Sequence, residues 1–197
     1  MTAYDLLFLG VSIGSLGGLI LATILAATGR WRRAGRLGAV VLAVWLVYAG
    51  VLVAVSLSTP ARLLTLGEDR CYDDWCIAVV ESHSVTIGSE TTLTVTLRLS
   101  SRARRVTQRE NGLIVYVLDG TGRRTDPRVE TESLPLNTVL QPGETLETTR
   151  VFELPAGVRD LALVLDRVGW DRVPGLLIIG DDSSWLHAPA RIHLPGP

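Results

Sequence analysis

Two long apolar blocks followed by a series of short ones divide the chain. Residues 6–27 (LLFLGVSIGSLGGLILATILAA) and 37–58 (LGAVVLAVWLVYAGVLVAVSLS) hold no charged side chain, and a helix of about 20 apolar residues crosses a bilayer core. Both blocks predict transmembrane helices, joined by a loop at 28–36. Beyond residue 58 the period changes. In TTLTVTLRLS, Leu93, Val95, Leu97 and Leu99 alternate with Thr94, Thr96 and Arg98, which predicts a strand with one apolar and one wetted face. CIAVVES, LIVYVLD, TLETTRVFEL, DLALVLD, GLLIIG and ARIHL are further short apolar runs, set apart by turn residues such as Asp119-Gly120 and Gln141-Pro142-Gly143. Short strands at this spacing, with no long helical period and no internal repeat, predict an all-β immunoglobulin-like sandwich. The division expected is therefore a transmembrane helical hairpin over 1–58, a tether over 59–70 broken by Pro60, and a β-sandwich over 71–197.

Charge gives this arrangement a direction. All 19 basic residues are arginine, a usage that points to a GC-rich bacterial genome. Arg30, Arg32, Arg33 and Arg36 crowd the loop between the apolar blocks, while the N-terminal stub carries only Asp5. Short arginine-rich loops stay in the cytoplasm, so the loop at 28–36 is expected inside. The N-terminus and everything after Ser58 are then expected on the periplasmic or extracellular side of the inner membrane. A cleaved signal peptide is the competing reading of residues 1–27. It lacks the positive n-region, and its apolar run is longer than usual. The part after Ser58 is mildly acidic, which argues against a nucleic-acid binder, since phosphate recognition requires a concentrated basic face.

Within the first span Gly10, Gly14 and Gly18 recur every four residues, and Ala22 continues the row. Residues four apart share a helix face, and small residues let helices approach closely in lipid. A helix is expected to pack there, either the second span or a neighbouring subunit. Trp45 and Tyr48 lie inside the second span rather than in the aromatic belt at its ends. Their polar tips call for a partner, which a protein helix, a pigment or a quinone would supply as well as plain lipid contact would explain the rings.

The stretch Leu140 to Pro155, LQPGETLETTRVFELP, resembles the late-strand signature of immunoglobulin-like bacterial extracellular domains related to the secreted mycobacterial immunoprotective antigen. A Pro-Gly turn leads there into a strand closing on Val151, Phe152, Glu153 and Pro155. CIAVVESHSV followed by TTLTVTLRLSSRARR is similar to that family's opening pair of strands, so the resemblance covers about residues 71–180. It implies a sandwich fold and an extracytoplasmic place, and no reaction. The two N-terminal spans and the Cys-Tyr-Asp-Asp-Trp-Cys opening depart from the family.

Candidate chemistry is sparse. Cys71 and Cys76 are the only cysteines, and outside the cytoplasm they are expected to form a disulfide. A redox pair usually has two residues between its cysteines, and a metal site needs more ligands. Asp73 and Asp74 lie between the cysteines, and Asp181 and Asp182 open an acidic loop near the end. Together they are weak calcium candidates without calcium-loop spacing. Ser183 or Ser184 with His187 and Asp182 offers the letters of a triad but not the nucleophile elbow. Trp75 and Trp185, with Arg102, Arg104 and Arg105 after the clearest strand, are a candidate contact surface.

No motif supports catalysis or a resident cofactor, so an enzyme is not expected. The leading expectation is a non-enzymatic accessory subunit of a bacterial membrane complex, photosynthetic or respiratory. Its hairpin would pack on partner helices and its sandwich would cover the outer face. The alternative is a membrane-anchored envelope module that binds a ligand, peptide or ion through its loops.

Overall fold

The structure is a computed structural model and describes residues 3–129, 133–169, 173–181 and 184–195. The two apolar blocks are helices, α1 (Ala3–Ala27) and α2 (Trp31–Ser58), and both are long and apolar enough to cross a membrane. Asp5 sits in the first turn of α1, where the helix dipole favours a negative charge. α2 starts earlier than its apolar block. Arg32, Arg33 and Arg36 are helical, and the expected loop at 28–36 shrinks to residues 28–30. The turn is tight because Gly29 takes a left-handed φ of 77°, and the amide of Arg30 donates to the Leu25 carbonyl. No acid accompanies the arginines in the first turn of α2, so they stand against the helix dipole.

The strands that follow are β1 (Leu63–Leu64), β2 (Arg70–Tyr72), β3 (Trp75–Ile87), β4 (Glu90–Ser101), β5 (Leu113–Leu118), β6 (Arg124–Thr125), β7 (Thr145–Pro155), β8 (Ala162–Arg167) and β9 (Ala190–His193). They form two sheets, ordered β1-β9-β8-β5-β6 and β2-β3-β4-β7. Inward residues of both sheets share one core, with Leu93, Val95, Leu97, Leu99, Val117, Phe152, Leu163 and Ile192 all buried. The protein is thus two apolar helices followed by a β-sandwich. The alternation of β4 appears as expected, Leu93 to Leu99 inward and the intervening residues half-exposed. The Pro-Gly turn before β7 also forms. Gly143 has a φ of 74°, which a side chain would resist, and the Glu144 amide donates to the Gln141 carbonyl at 3.0 Å.

Two expectations change. The tether over 59–70 is part of the sandwich, because β1 pairs in parallel with β9 (Leu64 beside Ile192) and Leu64 enters the core. GLLIIG is not a strand. Val173–Leu176 is a short helix, α3, and the residues after it turn back on themselves. An apolar run of this length has no period of its own to distinguish a strand from a buried turn. The chain accordingly divides into a unit of Met1–Pro60 with Val173–Ala188, and a sandwich of Ala61–Arg172 with Pro189–Pro197. The sandwich expected over 71–197 thus starts earlier, at Ala61, and cedes the internal segment Val173–Ala188 to the helical unit.

Candidate functional site in the helical unit and the sandwich surface

In the helical unit the small-residue row is met by the chain's own second helix at one point. A β-carbon on Gly18 would lie 3.0 Å from Cγ2 of Val41, whereas on Gly10 or Gly14 it would meet nothing within 4 Å. Ala22 is half-buried. Gly10 and Gly14 line a groove of about 520 Å³ between α1 and α2, whose other wall includes Leu37, Val40 and Val44. A second groove of about 460 Å³ is bounded by Leu7, Val11, Val44, Val47, Tyr48 and Ile179 among others. α1 and α2 otherwise present large apolar side chains outward, such as Leu16, Ile20, Leu42 and Leu46.

Trp45 and Tyr48 find their polar partners inside this unit. The Trp45 indole N–H donates to Ser15 Oγ at 2.9 Å, and the Tyr48 hydroxyl donates to the Leu177 carbonyl at 2.5 Å. Tyr48 also packs edge-on against Trp45, and the Phe8 ring lies tilted 6.3 Å from its own. Neither polar tip therefore needs a pigment, a quinone or another protein to satisfy it. Ser56 of α2 and Ser184, both buried, share a hydrogen bond of 3.0 Å, and Ile179 packs on Tyr48 and Leu52. Ser15, Ser56, Leu177, Ile179 and Ser184 were not singled out from the sequence. The signal available was the few serine and threonine hydroxyls in each otherwise apolar span, Ser12, Ser15 and Thr23 in the first and Ser56 and Ser58 in the second.

Of the triad letters, Ser184 and His187 are among the described residues. The Ser184 hydroxyl pairs with Ser56, and the His187 contact to Ser184 is the His187 amide donating to its carbonyl. Asp182 and Ser183 lie outside the described residues.

In the sandwich, Cys71 and Cys76 are directly opposed across β2 and β3 and form the expected disulfide, with S–S at 2.07 Å. Asp73 and Asp74 make the two-residue turn between them, Asp73 in the left-handed region at φ 59°, which aspartate tolerates. Asp181 belongs to the helical unit. Among the described residues no three His, Cys, Asp or Glu side chains gather as a metal would require.

Trp75 is not part of a contact surface, because it is 1% exposed. β3 is buried on both faces from Trp75 to Val79, so its first residue falls in the core instead of at the rim. Trp185 is exposed. Arg102 is paired: Asp69 accepts from Arg102 at 2.8 Å and from Arg98 at 3.0 Å. Partial burial disfavours the Asp69 charge, yet the hydrogen bonds and charges of the two arginines outweigh it and hold its carboxyl below the usual value. Arg104 and Arg105 are exposed. A further cluster escaped the sequence reading. Glu110 is buried and accepts from Arg167 Nε at 2.8 Å, and the guanidinium groups of Arg167 and Arg70 lie 4.9 and 5.5 Å from the centre of the Tyr72 ring. Burial raises the Tyr72 hydroxyl above its ordinary value against the pull of those cations. Arg150, 1% exposed on the inward phase of β7, donates to Thr148 Oγ1 and to the carbonyls of Thr149 and Leu134.

No family model matches the chain, and no curated protein matches it in sequence. Solved structures similar to it include an uncharacterized β-sandwich protein from Clostridium difficile 630, at TM-score 0.46 and 8% identity over 70% of this chain and 97% of that one. The yjhA protein from Bacillus subtilis is similar at TM-score 0.45 and 12% identity, over 66% of this chain and 98% of that one. The secreted protein MPT63 from Mycobacterium tuberculosis is similar at TM-score 0.41 and 12% identity, over 56% of this chain and 92% of its own.

Proposed function

We propose that the chain is a non-enzymatic accessory subunit of a bacterial membrane complex, its two helices spanning the inner membrane and packing on partner helices. The observation that carries this is the uncovered glycine row: the second helix meets it at Gly18 and leaves Gly10 and Gly14 facing open space. In lipid, a small-residue face gains dispersion energy when another backbone comes close. One span would suffice for anchoring alone, so a second span and an open glycine face favour a lateral partner. Arg30, Arg32, Arg33 and Arg36 at the turn support a cytoplasmic turn, with the β-sandwich then on the outer side as a cover. An energy-transducing assembly, photosynthetic or respiratory, is the host we favour.

Extraction in mild detergent at native expression, followed by native sizing, tests this reading. Migration with a larger assembly is expected. A protein running alone, as monomer or homodimer, refutes it.

A further inference from the structure

We infer that the connection between β8 and β9, which contains the described residues 173–181 and 184–188, is a third membrane-embedded element that dips into the outer leaflet and returns on the same side. This inference rests on the reading of α1 and α2 as spans, and goes beyond it.

Three observations converge on it. The first is depth. Leu177 meets the Tyr48 hydroxyl, and Tyr48 lies ten residues before Ser58 at the end of α2, about 15 Å at 1.5 Å per residue. Phe8, whose ring lies 6.3 Å from that of Tyr48, is five residues inside the start of α1, about 7 Å. The tip of the segment therefore sits well below both outer helix ends, and Ser184 returns to the level of Ser56, two residues before the end of α2.

The second is the pairing of much of the backbone. Non-helical chain enters a membrane only where its amides and carbonyls are paired. Here the Trp185 amide donates to the Leu176 carbonyl at 3.1 Å and closes the loop. The amides of Ile178, Asp181, Ser184 and His187 each donate to a carbonyl three residues back, and the Leu177 carbonyl takes the Tyr48 hydroxyl.

The third is the pattern of exposure. Trp185 and Leu186 stand outward at 55% and 49% beside the Ser56 contact, where an aromatic belt meets the head groups. Leu177, near the tip, is an outward apolar residue as well, while Ile179 turns in against Tyr48 and Leu52.

The test uses the full chain in liposomes, its native cysteines left oxidised, with a single environment-sensitive fluorophore on Leu177→Cys, Leu16→Cys or Val106→Cys. All three positions are exposed on the protein. Nitroxides on lipid acyl chains and aqueous iodide are the two quenchers. The labels at positions 16 and 177 are expected to be quenched by nitroxide and shielded from iodide several-fold relative to the label at 106. Tyr48→Phe combined with Ser56→Ala should then raise iodide access at 177 alone. A label at 16 buried in lipid, with one at 177 as open to iodide as the label at 106, overturns the embedded segment only. A label at 16 open to iodide overturns both the segment and the spanning helices.

Discussion

Replacing Arg150 by methionine tests whether the core of the sandwich is pinned by a buried cation. Arg150 alternates inward on β7 with Phe152 and Leu154 and is 1% exposed. Its Nη1 donates to Thr148 Oγ1 at 2.8 Å and to the Thr149 carbonyl at 2.7 Å, and its Nη2 donates to the Leu134 carbonyl at 2.8 Å. The Thr148 hydroxyl also bonds the backbone of Leu134, so the same group ties the chain before β7 to the strand. Methionine keeps most of the apolar stem and removes the guanidinium. Hydrogen bonds from a charged donor contribute roughly 1.5–3 kcal/mol each, but part of this is returned because a buried charge no longer needs desolvating. The net loss expected is about 2–4 kcal/mol. For a domain of this size that lowers the midpoint by roughly 8–16 °C at about 4 °C per kcal/mol. Thermal unfolding in mild detergent, followed by near-ultraviolet circular dichroism, reads the sandwich through the buried Trp75. Arg150→Lys keeps the charge without the planar fork and should recover only part of the loss. A methionine variant within about 0.5 kcal/mol of the parent, the scatter of ordinary surface changes, would refute the reasoning.

Gly18→Leu should disturb the hairpin itself, because its side chain would run into Val41, whereas Gly14→Leu should leave the isolated protein unchanged and weaken its association with partner helices; equal behaviour of the two in native sizing and thermal unfolding would count against the open face. Replacing Cys71 and Cys76 together by alanine should cost about 2 kcal/mol, since a loop this short removes little chain entropy, and the variant should keep its strand content by far-ultraviolet circular dichroism; global unfolding would contradict this. Asp69 is held below its ordinary value in the folded state, so its contribution is present above the unfolded value of about 3.9 and is lost as pH falls through the folded value. Asp69→Asn should flatten the acid limb of a stability-against-pH curve below about pH 4; an unchanged limb would show that the two arginines do not hold the carboxylate.

The long elements were legible in the sequence because their signals are local. An uncharged block of helical length forms one helix wherever it lies, and a two-residue alternation such as Leu93 to Leu99 has one way to bury its apolar side. The disulfide was legible because Cys71 and Cys76 are the only cysteines and were expected outside the cytoplasm, and the structure then sets them opposite each other across β2 and β3. The glycine row was visible as a row, but its partner was not: whether Val41 or another protein meets it depends on where the helices approach, which only their packing decides.

What the sequence by itself determined was therefore the type of the long elements, the turn chemistry of Pro142-Gly143 and the charge asymmetry about the hairpin. Tertiary structure decided the rest. It buried Trp75 at the start of a doubly covered strand, took Leu64 from the expected tether into the core, and gave Trp45 and Tyr48 partners in Ser15 and Leu177. It also drew the apolar run near residue 178 out of the sandwich and onto α2. Each of these is a contact between residues far apart in the chain, and hydrophobic burial is non-directional. An apolar side chain records that it must be covered, and only the packed structure decides by what.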